Sequence, residues 1–195
     1  MPQRTHFSAT ESLLRLLSCF LIPLYTLLFC AGYDWFTYNF SVIGNMVGHR
    51  EGFLIWGILV GLYFGPALRQ IKRAARLPRP LGLLPPAALL MLFCAITTPY
   101  LPEEVPFQSF LHIVFSAAAS VLLLLFLLLV SWRLSRRDKR YRRFFRLSVF
   151  VSAVSLFLLL LVGIVSSALE IFLTIGSTLL CEGLRRRLRR QSAPS

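Results

Sequence analysis

The sequence predicts an all-α membrane protein: a bundle of six helices with its N-terminus and C-terminus both in the cytoplasm. Three observations lead there. The chain has 195 residues, of which 56% are apolar and only 15% charged, and its mean hydropathy is +0.70. Such values are typical of membrane chains and exceed those of soluble domains. Several apolar runs are long enough to cross about 30 Å of hydrocarbon, and basic residues collect between them. One membrane domain, residues 1–195, accounts for the whole chain.

The first half of the chain holds three of the predicted helices. The first covers about residues 12–31, a run too long for the core of a secretory signal. An aromatic and polar loop follows over residues 32–51, with Trp and Tyr suited to the headgroup level. The second helix is predicted over about 52–68, and the third over about 82–98.

The second half begins with a fourth helix, predicted over about 107–132, and ends in one long apolar block, residues 147–184. As a single helix this block would measure about 57 Å, nearly twice the hydrocarbon thickness. Gly163 and the polar residues after it offer a break. We therefore predict a fifth helix over 147–165, a sixth over 167–183 and a basic tail over 185–195.

Charge supports six helices over five. The net charge is +13, from 21 Lys and Arg against 8 Asp and Glu. With six helices, the basic segments 69–80, 133–146 and 185–190 all face the cytoplasm, and only Arg50 lies outside. With five, the arginine-rich tail would face outward. The basic clusters are short and separated, which favours anionic lipid at the cytoplasmic face as a partner and argues against nucleic acid.

The sequence indicates no metal and no cofactor. Its four cysteines lie in apolar segments without metal-ligand spacing, and its three histidines cannot supply the paired ligands of several haems. A nucleotide-binding loop is absent as well, so any transport is not driven by ATP bound to this chain.

His112 is the most informative residue, because a histidine within a membrane helix indicates function by default. Ser109 and Ser116 share its helical face by their spacing. Glu170 and Thr174 share a face of the sixth helix, and Glu170 should lie at about the depth of His112. We predict His112 and Glu170 as an acid/base pair, with binding residues Asn39, Ser41, Glu103, Ser109, Ser116 and Thr174.

Two interpretations of the pair stay open: a hydrogen-bonded pair that holds two helices together, or a site open to the outer face. The second predicts an outward-facing polar pocket that binds or processes a lipid headgroup or small amphiphile. An alternative is a transporter or permease for small solutes. Another is a non-catalytic scaffold that packs on a partner or a second copy through Gly57, Gly61 and Gly65, which share one face of the second helix.

The layout resembles a family of prokaryotic six-helix membrane proteins catalogued as domain of unknown function 998. The resemblance covers about residues 12–184. It depends on Asn39-Phe40-Ser41-Val42-Ile43-Gly44, on Pro102-Glu103 shortly before His112, and on Glu170. Val42 stands where the family often has an acidic residue. The resemblance implies the six-helix fold and a prokaryotic plasma membrane, and it carries no activity.

Overall fold

The computed structural model describes residues 9–192. It is 84% helical, with no strand in that range. The described part contains six helices that are long and apolar enough to cross a membrane: α1 (Ala9–Phe29), α2 (Arg50–Ala74), α3 (Arg79–Thr97), α4 (Pro106–Arg137), α5 (Arg142–Val162) and α6 (Ser167–Ser192). The predicted fold class, an all-α membrane bundle of six helices, is confirmed.

The connections divide between the two ends of the bundle. One end, here called the terminal face, holds the start of α1, residues 75–78 and 138–141, and the end of α6. The opposite end, the loop face, holds residues 30–49, 98–105 and 163–166. At the terminal face Glu11 pairs with Arg185, which brings the first and last helices together. Positive-inside charge predicts that this face is the cytoplasmic one.

The last apolar block doubles back at Gly163, as the sequence predicts. Gly163 ends α5 with φ of 76°, a left-handed conformation that glycine adopts without steric cost. The start of α6 then receives its caps from the loop after α1: the N–H of Ser167 donates to the carbonyl of Tyr38 at 2.7 Å, and that of Ala168 to the carbonyl of Trp35 at 2.8 Å. These bonds tie the 30–49 segment to α6.

Three helices run past their predicted ends into basic sequence. They end at Ala74, Arg137 and Ser192, where 68, 132 and 183 were predicted. Lys and Arg are good helix formers, so the hydrogen-bond ladder continues beyond the hydrocarbon region that hydropathy marks. The predicted basic tail is therefore helical through residue 192. Residues 193–195 and the first eight lie outside the described range.

The buried side chains form two clusters. The larger lies toward the terminal face and includes Tyr63, Phe64, Phe126 and Leu184. The smaller lies beneath the loop face and is made by Cys30, Phe40, Ile43, Phe53, Ile96 and Ile171. Because α2, α3, α6 and the segment after α1 all contribute to the smaller cluster, that segment is part of the packed core.

The glycines of α2 differ in what surrounds them. A Cβ added to Gly57 would lie 2.7 Å from Cγ2 of Ile96, so this glycine lets α2 and α3 approach closely. A Cβ at Gly61 or Gly65 would meet no heavy atom within 4 Å. The structure therefore places Gly57 alone of the three at a helix contact, and leaves Gly61 and Gly65 on the open side of α2.

Candidate functional site at the loop face

The centre of the loop face is a short helical segment, residues 40–46, between α1 and α2. Asn39 caps it: the side-chain carbonyl accepts from the N–H of Val42 at 2.8 Å, and the amide donates to the carbonyl of Val165 at 3.2 Å. Phe40 and Ile43 are completely buried. A Cβ at Gly44 would lie 2.7 Å from Cβ of Phe53, so only glycine fits there. The segment is held rigidly against α2 and α6.

His112 reaches this segment from α4. Its Nε2 lies 2.6 Å from the hydroxyl oxygen of Ser41, and its Nδ1 lies 3.0 Å from the carbonyl oxygen of Thr98. A carbonyl oxygen only accepts, so Nδ1 carries the proton and Nε2 of the neutral ring accepts from the Ser41 hydroxyl. His112 is 2% exposed and Ser41 8%. The arrangement is that of a serine hydroxyl facing a histidine base whose tautomer is fixed by a third group.

Glu170 reaches the same segment from α6. Its carboxylate accepts the backbone N–H of Phe40 at 2.6 Å. It also stands in the first turn of α6, where the helix dipole favours an acidic side chain. Glu170 and His112 thus bind neighbouring residues, and among residues 9–192 neither a hydrogen bond nor an ion pair joins them. The side-chain hydrogen-bond partner of His112 is thus Ser41, and the acid/base role predicted for His112 together with Glu170 stays a prediction.

Arg50 joins the segment to α3, which sequence reasoning missed. One guanidinium nitrogen donates to the side-chain carbonyl of Asn45, and another donates to the carbonyl of Thr97 at 3.2 Å. Asn45 in turn donates to the carbonyl of Ser41 at 2.9 Å. The sequence feature that could have identified it is that Arg50 is the only Lys or Arg predicted at this face.

The other predicted site residues divide into two groups. Ser109 is buried, and its hydroxyl accepts the N–H of Leu101 at 2.9 Å, which fixes the loop before α4. Glu103 is exposed in a turn, Ser116 donates to the carbonyl of Ile113 within its own helix, and Thr174 is half-buried on α6. Among residues 9–192, no hydrogen bond joins any of these last three to His112 or Ser41.

Large exposed side chains surround the segment. Trp35 is 44% exposed, Phe36 53% and Phe107 71%. Tyr33 and His49 share a hydrogen bond of 2.8 Å nearby. In the turn that follows Tyr33, the backbone N–H groups of Phe36 and Thr37 donate to the Asp34 carboxylate and hold its pKa below the usual range. Aromatic rings beside polar groups are characteristic of the headgroup level of a bilayer.

A second polar cluster lies at the terminal face, where only a basic tail was predicted. Arg185 donates from Nε and Nη2 to the two carboxylate oxygens of Glu182, each at 2.9 Å, and from Nη1 to Gln70 at 2.9 Å. Glu11 lies 3.9 Å from Nη1 of Arg185 and also pairs with Arg189. Glu182 and Arg185 are each 3% exposed. This cluster anchors α1 and α2 to α6.

Unpartnered hydroxyls lie between the two ends of α6. Ser177 and Thr178 are completely buried, as is Ser167, and their side-chain oxygens have no hydrogen-bond partner in residues 9–192. The hydroxyl oxygen of Ser155, in α5, is also buried and has no hydrogen-bond partner among these residues. Tyr63 donates to the carbonyl of Thr178 at 3.1 Å. A polar strip therefore runs along α6 from Glu170 to Glu182.

Together, the fold and these clusters define a multi-pass integral membrane protein. No family model, no curated protein and no solved structure matches the chain, so the resemblance described above stays a prediction. In the described range no three His, Cys, Asp or Glu side chains converge as metal ligands.

Proposed function

We propose that this protein binds a lipid headgroup or small amphiphile at its loop face, on the non-cytoplasmic side of a prokaryotic plasma membrane, and that Ser41 and His112 process it. The observation that carries the proposal is the 2.6 Å contact between the Ser41 hydroxyl and Nε2 of His112, with Nδ1 directed at the Thr98 carbonyl. The exposed aromatic residues around the segment provide a surface for an amphiphile at headgroup depth.

The chemistry that suits this arrangement is acyl transfer from an ester. The Ser41 oxygen attacks the ester carbonyl carbon while Nε2 of His112 takes the hydroxyl proton. The carbon–oxygen bond to the alcohol then breaks, and His112 returns the proton to the departing oxygen. Water, deprotonated by the same imidazole, next cleaves the acyl-serine ester and restores Ser41. Since Ser41 is only 8% exposed, a substrate reaches it when the surrounding loops move.

The test uses the purified full chain in lipid nanodiscs. A fluorophosphonate probe should label Ser41, and a fluorogenic acyl ester should be hydrolysed. Ser41→Ala and His112→Gln should each abolish both signals. The matched control is Ser131→Ala, which removes another buried serine hydrogen bond, to Ser148 at 2.9 Å near the terminal face, and should leave both signals unchanged.

Ser41→Ala loses the hydrogen bond to His112, whereas Ser131→Ala loses those to Ser148 and to the carbonyl of Leu128. His112→Gln removes a ring that bonds both Ser41 and the carbonyl of Thr98. Each buried partner left unpaired costs about 1–3 kcal/mol. Similar melting temperatures for Ser41→Ala and Ser131→Ala, together with lost labelling in the first alone, would support the proposal. Equal labelling of Ser41→Ala and the wild-type chain would contradict it, and so would a probe attached to a different serine. In that case the Ser41–His112 contact serves to hold the loop on α4.

A second candidate function is passage of protons or a small polar solute along α6. The observation that favours it is the set of buried hydroxyls without partners, Ser177, Thr178 and Ser155. Unpaired polar groups in a bilayer are costly and line water-filled paths in many transporters. In contrast, residues 121–130 of α4 are uninterrupted Val, Leu and Phe, so a path would follow α6.

Liposomes containing a pH-sensitive dye test this second function. An imposed pH gradient should decay faster with the wild-type chain than with Ser177→Ala/Thr178→Val. Ser116→Ala/Ser120→Ala is the control, because both hydroxyls already donate to carbonyls within α4. Decay rates equal to those of empty liposomes would exclude proton passage, and labelled solutes in the same vesicles would then report on solute passage.

A further inference from the structure

A groove opens at the terminal face between the end of α4 and the start of α5. Its volume is about 680 Å³, and it is lined by Trp132, Ser135, Arg136, Arg142, Phe145 and Arg146. Three of the six lining residues carry a guanidinium group and none carries a carboxylate. The groove lies at the opposite end of the bundle from Ser41 and His112.

The three arginines have no anionic partner within the part of the chain that the structure describes. Arg136, Arg142 and Arg146 are all exposed, and no hydrogen bond or ion pair to their side chains occurs there. The nearest acidic residue in the sequence is Asp138. Its carboxylate accepts from the backbone N–H of Arg140 at 2.8 Å and from Gln191 at 3.1 Å instead.

The position of Arg142 in α5 is itself unfavourable without an anion. The first turn of α5 contains no acidic residue, and Arg142 opens the helix with Arg143 beside it. The dipole places partial positive charge at a helix N-terminus, so basic side chains there repel it and an anion stabilises it. A bound phosphate would be attracted both by the guanidinium groups and by the helix end.

From these observations we infer that the groove binds the phosphate of an anionic phospholipid, in a specific lipid site separate from the loop-face centre. Trp132, which is 50% exposed, and Phe145 suit the boundary between headgroups and hydrocarbon. The face of α5 that carries Arg142 and Arg146 continues into the membrane span with exposed Val149, Phe150 and Phe157. Acyl chains can lie along that face while the phosphate stays at the arginines.

The test is native mass spectrometry of the full chain, stripped of lipid in detergent and titrated with phosphatidylglycerol or phosphatidylcholine. The wild-type chain should retain one phosphatidylglycerol more tightly than any phosphatidylcholine. Arg136→Gln/Arg142→Gln/Arg146→Gln should weaken that first binding event about 100-fold. Each arginine near a phosphate contributes roughly fivefold to the affinity, and the three factors multiply.

The control is Arg69→Gln/Arg73→Gln/Arg76→Gln, which removes three exposed charges at the same face, from the end of α2 and the loop after it. It should retain the tight lipid. Equal loss in both triple variants would overturn the proposal, because attraction would then follow total charge and not the groove. Displacement of phosphatidylglycerol by excess inorganic phosphate alone would also overturn it, since the groove would then be a site for free anions.

Discussion

His112 and Ser41 are 71 positions apart in the chain, yet Nε2 of the one lies 2.6 Å from the hydroxyl oxygen of the other. The contact joins α4 to the short segment after α1. Glu170 of α6 accepts the backbone N–H of the adjacent residue, Phe40. Two helices that are distant in sequence therefore fix two consecutive residues, which explains how a short helical segment is kept in one position at the end of the bundle.

Glu170 is expected to act as a positioning residue. Glu170→Ala removes the acceptor of the Phe40 N–H and should destabilise the fold by about 1–3 kcal/mol. Glu170→Gln keeps a carbonyl oxygen in the same place and should restore most of this loss. Hydrogen exchange at Phe40, together with thermal melting, measures both variants. Ester hydrolysis that disappears in Glu170→Gln while the fold stays intact would show instead that the charge takes part in the reaction.

Arg185 should be among the most sensitive residues of the terminal face. Arg185→Met leaves the buried carboxylate of Glu182 without its cation and removes one of the two cations paired with Glu11. Breaking one side of a buried ion pair costs about 3–5 kcal/mol. Arg69→Gln removes an exposed charge at the same face and should change stability by less than about 0.5 kcal/mol. Thermal unfolding in one detergent compares them. Equal melting temperatures would show that the carboxylates are not stabilised by Arg185.

Gly57 and Gly61 of α2 provide a matched pair of substitutions. Gly57→Ala forces a contact of 2.7 Å with Ile96 and should destabilise the bundle by about 1–3 kcal/mol. Gly61→Ala adds a methyl group in open space and should stabilise the helix by up to about 1 kcal/mol. If Gly61→Ala instead lowers stability and dissociates a crosslinkable dimer, the open side of α2 contacts a second copy.

Asp34 should make the loop after α1 sensitive to acid. The pKa of its carboxyl is lowered because the carboxylate accepts the N–H groups of Phe36 and Thr37, each at 2.9 Å. The stabilisation is therefore complete above the ordinary carboxyl range, about pH 4, and is lost as the pH falls through the lowered value. Amide exchange at residues 36 and 37, corrected for intrinsic rates, should show reduced protection in acid. Asp34→Asn, which cannot ionise, should show protection independent of pH.

Composition and spacing were sufficient for the fold. The apolar runs give six spans, and Gly163 marks the point where the last block turns, because its left-handed conformation ends a helix. The positions of the helix ends were harder to predict from the sequence. Hydropathy detects the hydrocarbon region, whereas Lys and Arg let a helix continue into water, so α2, α4 and α6 are longer than predicted.

The partners of the site residues could not be obtained from periodicity. Helical spacing placed His112 and Ser109 on one face, and both are buried. It cannot show that Ser41, in a short helical segment outside the six spans, is the group that meets His112. Arg185 was predicted to lie in a basic tail because that prediction used only the positive charge of the segment. It did not use the position of Arg185 three residues after an acidic side chain. The Glu182–Arg185 spacing inside an apolar helix was the signal for the buried cluster.

The contact of Glu11 with Arg185 and Arg189 has a consequence for assembly of the chain in the cell. The first helix leaves the ribosome with a carboxylate whose counter-ions are encoded in the last. Until α6 has been synthesised and inserted, Glu11 lacks the two arginines that pair with it in the folded chain, so we expect this group to stay at the aqueous boundary. Closure of the bundle at this end is therefore a late event, and a ribosome that stalls before α6 should release a chain whose first span remains accessible to the quality-control proteases of the membrane.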